Sequence, residues 1–393
     1  MSWPLVKLED IFDIARGGSP RPIEQFITKD EDGLNWISIK DASNSEKYIT
    51  KTKLKIKKEG LVKSRLVKPG DFLLTNSMSF GRPYIMKTTG CIHDGWLVLS
   101  GDKERVDQDY FYHLLGSDLL HKKFSSLAAG AVVKNLNISL VKGVEIPLPP
   151  LPEQKKIANI LDVADNLRQK DQQLIEKYTA LSQSLFLDMF GDPVNNQMGW
   201  DKRNLQDLVK SVIDCPHTTP NWTSSGKVAI RTSNLTQGGW SWKDKRFVSE
   251  EDFHDRSKRG YVKHGDIILS REGTVGVLAI VEMEMEICLG QRLVQLIPDF
   301  SLANNYYLLH LLLYELEPER ISRIMVGATS KHLNVKELRE MSLPVPPIDL
   351  QNQFAERIQS IEAQKQLALA SLEKSEALFN TLLQRAFKGE LTT

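Results

Sequence analysis

Apolar and polar positions alternate in two different ways along this chain. Over residues 1–150, and again over 199–347, short apolar runs are broken by Gly, Pro, Asn and Asp. Trp36-Ile-Ser-Ile39, Asp71-Phe-Leu-Leu-Thr75, Trp96-Leu-Val-Leu99, Val228-Ala-Ile230 and Gly265-Asp-Ile-Ile-Leu269 read as strands with turns between them. Helical spacing interrupts them at Tyr110–Phe124 and Asn304–Leu316. The predicted class is α+β, with a mostly antiparallel or mixed sheet. The second pattern is a long helix. Glu153–Phe190 holds no Pro or Gly, and apolar residues recur every three or four positions at Ile157, Ile160, Ala164, Leu167, Leu174, Tyr178, Leu181 and Leu185. Asp171 interrupts that seam. A second stretch shows Phe354, Ile358, Ile361, Ala368, Leu372, Phe379, Leu382 and Ala386, interrupted by Lys365 and Ser375. Seams of this regularity predict coiled-coil helices, each a rod of about 57 Å at ~1.5 Å per residue. Pro152 and Pro347 mark the starts, with Glu153 and Asp349 at the positive end of the helix dipole. Gly191 and Gly389 mark the stops.

The two halves repeat one plan. Lys68-Pro-Gly-Asp71 and Lys263-His-Gly-Asp266 stand 195 residues apart, each followed by an apolar run and then Gly81 or Gly276. Gly130-Ala-Val-Val-Lys134-Asn-Leu-Asn137 matches Gly327-Ala-Thr-Ser-Lys331-His-Leu-Asn334 at an offset of 197. Pro147–Pro150, Gln154 and Phe190 match Pro344–Pro347, Gln351 and Phe387 at the same offset. Ordered matches with a two-residue drift identify a duplication. The predicted segments are a globule at 1–150, a helix at 151–191, a second globule with a short linker at 192–347, and a second helix at 348–393. Rods of matching length and pattern pair most simply with each other. Antiparallel pairing relates the two globules by a pseudo-twofold axis. The rival is that each rod pairs with a separate protein.

Composition then narrows the function. The 393 residues carry 51 basic and 50 acidic side chains, so any basic surface is local and balanced elsewhere. Residues 1–150 hold 22 basic against 18 acidic residues, 199–347 hold 19 of each, and the remainder 10 against 13. Three cysteines, Cys91, Cys215 and Cys288, argue against a disulfide framework. There is neither an apolar span of 18 residues nor a secretory leader pattern, and the expected compartment is the cytoplasm. The chain lacks a phosphate-loop motif and the Asn/Asp-Pro-Pro-aromatic motif of amino-methyltransferases. Asp266 and Glu272 lack the lysine a nuclease carboxylate pair would need, and Cys215-Pro-His217 has no second Cys/His pair for zinc. No catalytic residue and no metal site is predicted.

Local basic charge does stand out. Lys51, Lys53, Lys55, Lys57, Lys58, Lys63, Arg65 and Lys68 face one acid, Glu59, within 18 residues. Lys243, Lys245, Arg246, Arg256, Lys258 and Arg259 occupy the matching region of the second half. A lysine-rich edge strand can simply block aggregation; its recurrence in both halves favours phosphate contacts. Polar clusters after the strand-like runs supply candidate base-edge and backbone contacts: Arg16, Ser19, Lys40, Ser43, Asn76, Ser77, Arg82, Lys134 and Asn135 in the first half, and Arg231, Ser233, Asn234, Arg271, Thr274, Lys331 and His332 in the second. Asn76 stands against Arg271 and Asn135 against His332. A frame that repeats while its loop tips diverge fits two readers of two different sequences.

Several of these segments resemble the specificity subunit of type I restriction–modification systems. Gly17-Gly-Ser-Pro20 with Leu34-Asn-Trp-Ile-Ser-Ile-Lys-Asp41 resembles the opening of that family's target-recognition domain. Lys68–Thr75 resembles its central strand signature. Ile146-Pro-Leu-Pro-Pro-Leu-Pro-Glu-Gln-Lys-Lys-Ile157 resembles the junction into its conserved helix. Leu343–Gln351 repeats that junction with Asp-Leu-Gln in place of Pro-Glu-Gln, and Leu382–Leu391 is also similar to the family. The resemblance spans essentially the whole chain. It implies two target-recognition domains alternating with two conserved helices, and a subunit without a catalytic centre. Each domain would read one half of an asymmetric, bipartite double-stranded DNA target, and the antiparallel coiled coil would set the gap. The helices would dock two methyltransferase subunits, which methylate adenine N6 with S-adenosylmethionine. ATP-dependent, magnesium-requiring restriction subunits would join for defence against foreign DNA, and this chain would bind none of those cofactors. Two other classes compete: a self-sufficient DNA methyltransferase or nuclease, and a coiled-coil protein scaffold without DNA recognition.

Overall fold

The computed structural model describes residues 3–43, 45, 47–76, 81–129, 136–321 and 332–391. It divides into two compact units: Met1–Gln172 with Ala370–Thr393, and Gln173–Leu369. The long helices span Leu151–Phe190 and Ile348–Lys388, so each unit takes one globule and part of both helices.

In the first unit a five-stranded sheet runs in the order Phe12–Arg16, Trp96–Gly101, Phe72–Thr75, Pro83–Met86, Tyr48–Ile49. Neighbours are antiparallel except the last pair. Leu99 faces Ile14 on one side and Phe72 on the other. Phe72 and Phe111 each meet the ring of Phe12 edge to face, at 5.8 and 5.0 Å, where the helix Gln108–Leu115 covers the sheet. A second five-stranded sheet carries Leu34–Ile37 parallel to Gly90–Ile92. The second unit repeats this with four-stranded sheets. Val209–Asp214, Leu293–Pro298, Ile267–Ser270 and Leu278–Ile280 form one, and Lys227–Ile230 pairs parallel with Ile287–Leu289 in the other. The α+β class and the pair of long helices agree with the sequence reading.

The repeated motifs are the devices that build each unit. In Lys68–Asp71 the Asp71 carboxylate accepts the backbone N–H of Lys68 at 2.7 Å, and in Lys263–Asp266 Asp266 accepts that of Lys263 at 2.8 Å. Gly70 and Gly265 take positive φ, +103° and +87°, which closes the turn ahead of the central strand. Asn137 and Asn334 cap the short helices Ile138–Lys142 and Val335–Arg339. Gln154, buried at the start of the first long helix, accepts the N–H of Asp107 and donates to the carbonyls of Arg105 and Pro149. Gln351 makes the same set with Asn304, Leu302 and Pro346. Tyr110 and Tyr307 donate to the carbonyls of Pro147 and Pro344, and burial pushes both phenols well above their ordinary range.

The helix pairing is antiparallel within each unit; the second helix buries the apolar seam predicted for it, and the first helix does so only in part. Ile157, Phe354 and Ile358 are fully buried, and Leu185, Ile361, Phe379 and Leu382 pack partly buried against the cores. Leu372 is half-buried. Ile160, Leu167, Leu174 and Leu181, by contrast, are 38%, 45%, 41% and 49% exposed. The buried stripe of the first helix keeps Ile157 and Ala164 from the predicted seam and adds Ala158, Leu161, Asp171, Ser182, Phe186 and Phe190. Residues adjacent in a helix point about 100° apart, so Ile160 and Leu181 fall outside a stripe that their neighbours Leu161 and Ser182 enter. Asp171 and Ser375, read as interruptions, are part of the packing: Asp171 accepts from the hydroxyls of Ser371 at 3.1 Å and Ser375 at 2.8 Å. In the second unit Ser182 donates to Glu362 at 3.3 Å.

One equivalent pair behaves differently. His113 Nε2 lies 2.8 Å from Asp162, which also holds Lys47 at 3.1 Å. His310, 197 residues on, rests against Phe186 and Phe354, and its buried Nε2 has no partner. Burial, and then the charge of Lys365, push its pKa from 6.5 down to about 4.

Replacing Asp171 with Ala strands the Ser371 hydroxyl and leaves Ser375 only the Leu372 carbonyl, and should cost about 1–3 kcal/mol, lowering the melting temperature by several degrees at ~2–4 °C per kcal/mol. Adding Ser371→Ala and Ser375→Ala should recover much of the loss in the same melt. Because the depressed His310 is neutral in the fold and protonates in the unfolded chain, its stabilising contribution is complete above about 6.5 and is lost as pH falls towards 4. His310→Leu should flatten that acid limb in a melting-temperature series between those pH values.

Candidate nucleic-acid interface

In the first unit, the ends of Phe12–Arg16 and Phe72–Thr75 and the turn before Trp96 meet at one place. Asp94 organises it. Its carbonyl accepts from Arg16 Nε at 2.9 Å and Asn76 Nδ2 at 2.7 Å, and its carboxylate accepts from Ser19 at 2.8 Å. The Ser19 bond leads the effects that hold the Asp94 pKa below its ordinary value. The N–H of Gly17 donates to the Trp96 carbonyl, and a Cβ at Gly17 would stand 2.1 Å from the His93 carbonyl oxygen. Arg16, Ser19 and Asn76 are therefore brought together, but they spend hydrogen bonds on the loop itself. Arg21, which the sequence reading passed over, is 81% exposed beside Asp94.

Lys40 and Ser43 sit exposed on the short helix Ile39–Ser43, where Ser43 donates to the Ile39 carbonyl. Arg82 is exposed over the ring of Tyr84. Of the lysine run, Lys55 donates to the Glu31 carbonyl and Lys58 pairs with Asp32. Lys51, Lys53, Lys57, Lys63, Arg65 and Lys68 are exposed. Ser77, Lys134, Asn135 and Lys331 lie outside the described residues.

The second unit fills the equivalent place with different chemistry. The pairing that sets Ile14 against Leu99 sets Val212 against Leu296, so Asp214 takes the place of Arg16. Arg271 takes that of Asn76. It is buried, 3.2 Å from Asp214 and 3.4 Å from Glu272, and Glu272 also holds Arg292 at 3.4 Å. His217 lies 3.3 Å from Asp214, and His332 bridges Glu272 through the backbone. Thr274 is exposed. Arg231, Ser233 and Asn234 lie on another loop. Asn234 is buried, accepting from the N–H of Arg231 and donating to the carbonyls of Ser241 and Asp244, whereas Ser233 is exposed. Two cations assigned to phosphate contacts have other work. Arg256 is buried and donates to the carbonyls of Leu289, Gly290 and Thr218, and Arg259 donates to that of Asp214. The sequence showed their charge but not the carbonyls that surround them.

These groups suit recognition. Among the described residues no cluster of His, Cys, Asp or Glu could hold a metal ion. Burial raises all three cysteine thiols, Cys288 to about 12, which keeps them protonated. Asp266 accepts from Gln295 and the Lys263 N–H, and Glu272 is held between two arginines, so neither carboxylate is poised for chemistry.

The model of the type I restriction modification DNA specificity domain matches residues 2–177 and 197–376. The MjaIX specificity subunit of Methanocaldococcus jannaschii is 24% identical over 99% of this chain and 93% of its own. The EcoKI specificity subunit of Escherichia coli is 22% identical over 99% and 89%. Among solved structures, the S subunit of a type I restriction–modification system from M. genitalium superposes with a TM-score of 0.59 at 17% identity, covering 98% of this chain and 96% of that one. A chain from a study of type I complex assembly gives 0.54 at 18% identity, with 99% and 98% covered. With the family model matched once in each half, this chain belongs to the DNA specificity subunits of type I restriction–modification systems, where its part is recognition and not catalysis.

Proposed function

We propose that each unit reads one half of a bipartite, asymmetric duplex target. One observation carries this: the same frame, with the same Asp turn and the same buried glutamine, presents Arg16, Asn76 and Asp94 in one unit and Asp214, Arg271 and Gln291 in the other. Loops held by different side chains at one structural position carry different exposed groups to the duplex, and so call for different base pairs. The clustered residues shape the loops. The exposed Lys40, Arg82, Ser233 and Thr274 reach base edges, while Arg21 and the lysine run take phosphates.

The long helices act as the spacer between half-sites and as the seat for two methyltransferase subunits. Ile160, Val163, Leu167, Leu174 and Leu181 stay exposed along the first helix, an apolar stripe suited to partner helices. In the first unit Ile160, Val163 and Leu167 line an open groove with Leu378 and Leu382. S-adenosylmethionine, ATP and magnesium belong to the methyltransferase and restriction subunits, and this chain binds none of them. No described helix is long and apolar enough to cross a membrane, and we place the assembly in the cytoplasm.

Co-expression with the methyltransferase subunit, followed by genome-wide mapping of N6-methyladenine, should return one bipartite motif. Exchanging residues 1–150 for those of another family member should change one half of it and leave the other half intact; a change in both halves, or in neither, overturns the two-reader assignment. The purified chain alone should neither methylate nor cut DNA, and activity without added subunits would refute the recognition role. Asp94→Ala should release Ser19 and Arg21, which use the carboxylate, while Arg16 and Asn76 keep the backbone carbonyl and the loop loosens on one side. The same map should then show relaxed sequence at one half-site, with the spacing unchanged.

A further inference from the structure

The second unit carries an aromatic and cationic hairpin with no counterpart among the described residues of the first. Leu235–Thr236 pairs with Gly239–Trp240, and the N–H of Gly238 donates to the carbonyl of Leu278, laying the hairpin along the strand Leu278–Ile280. Trp240 Nε1 donates to the Ile280 carbonyl at 2.8 Å. The ring of Trp242 stacks on Trp240 at 5.3 Å and 10°, and Lys245 stands 5.3 Å from the Trp242 ring centre. Beside them, Arg231 and Arg246 lie 5.9 and 5.4 Å from the ring of Trp222. Asn234 ties the segment together through the carbonyls of Ser241 and Asp244. Lys243, Lys245 and Arg246 are exposed, Trp222 and Trp242 half-exposed, and Asp244 is the one carboxylate in the segment 231–246. In the first unit the equivalent strand Leu34–Ile37 leads into the helix Ile39–Ser43, and residues 38–53 contain no tryptophan.

We infer that this hairpin is the sugar–phosphate clamp of the second half-site, with Trp242 and Trp222 laid against the duplex backbone and Lys243, Lys245 and Arg246 on its phosphates. The inference rests on the two-reader assignment above and deepens it. Cations seated over aromatic rings keep their charge while losing rotamer freedom in advance, so less entropy remains to be lost when they meet a phosphate. Half-exposed indoles offer flat apolar area to the deoxyribose rings of the backbone. The excess of cations over the single carboxylate favours a polyanion over a neutral protein surface. The tight turn at Gly238 and the Trp240 anchor fix the geometry before the duplex arrives.

The test uses the full chain, alone and assembled with methyltransferase subunits, and a fluorescently labelled mixed-sequence duplex of about 40 base pairs titrated across a salt series. Lys243→Ala with Lys245→Ala should reduce the slope of log affinity against log salt by about two, at ~0.9 per phosphate contact. Trp242→Ala should weaken binding roughly tenfold, and Trp242→Phe, which keeps a ring on Trp240, should restore most of it. Variants that match the parent in slope and affinity overturn the clamp. So does a Trp242→Ala chain that keeps its duplex affinity but no longer assembles, because that outcome makes the hairpin a protein contact. A parent chain that fails to bind the duplex at all overturns the two-reader assignment as well, which separates the two failures.

Discussion

Each unit depends on one buried amide. Gln154 and Gln351 sit one turn into their long helices, and each satisfies three backbone groups of the segments that lead into the helices of its unit. Buried unpaired peptide groups are costly, so the loop, the globule's helix and the long helix can come together dry in few ways. The tyrosines donating to Pro147 and Pro344 add a second tie in the same corner. A loop tip that must meet a base edge to within an ångström gains its precision from this seat. The sheet behind the tip only carries that precision forward.

Within that frame, the near-zero net charge is the sum of local solutions. In the first unit the loop cluster gathers on a backbone carbonyl and one carboxylate of the Asp94 turn. In the second, a buried arginine is compensated by Asp214 and Glu272, as a charge taken out of water requires. Acidic residues in the recognition loops are therefore part of how the cations are held, and a count of basic against acidic residues conceals it.

Much of the frame was legible in the sequence, because its devices are local: an Asp three residues after a Lys, an Asn before a short helix, a Gln soon after a proline-rich stop. The seam of the first long helix was legible only in part. That helix is apolar on more than one face, so spacing alone could not tell the buried stripe from the exposed one holding Ile160, Leu167, Leu174 and Leu181. Asp171 read as an interruption since its partners, Ser371 and Ser375, lie some 200 residues away. The candidate loops were found by residue type and by duplication, but which of their side chains remain available depends on contacts that no local pattern carries. Arg256 and Arg271 look like surface cations in sequence and are buried in the fold.

That division also constrains how a target could change. Asn76 donates to the Asp94 carbonyl, so an arginine there would meet a turn built for a neutral amide and would lack the two carboxylates that hold Arg271. Placing Arg271's chemistry in the first unit would mean supplying Asp214 and Glu272 equivalents at the same time, one of them where Arg16 now stands. Single exchanges between the halves should then cost loop order before they transfer specificity. The unit of exchange is the whole set of loops, carried on a frame whose turn, cap and buried glutamine are already identical. A duplicated chain can diversify one reader without disturbing the other because the residues that differ bond chiefly to one another, while those that match bond to the frame.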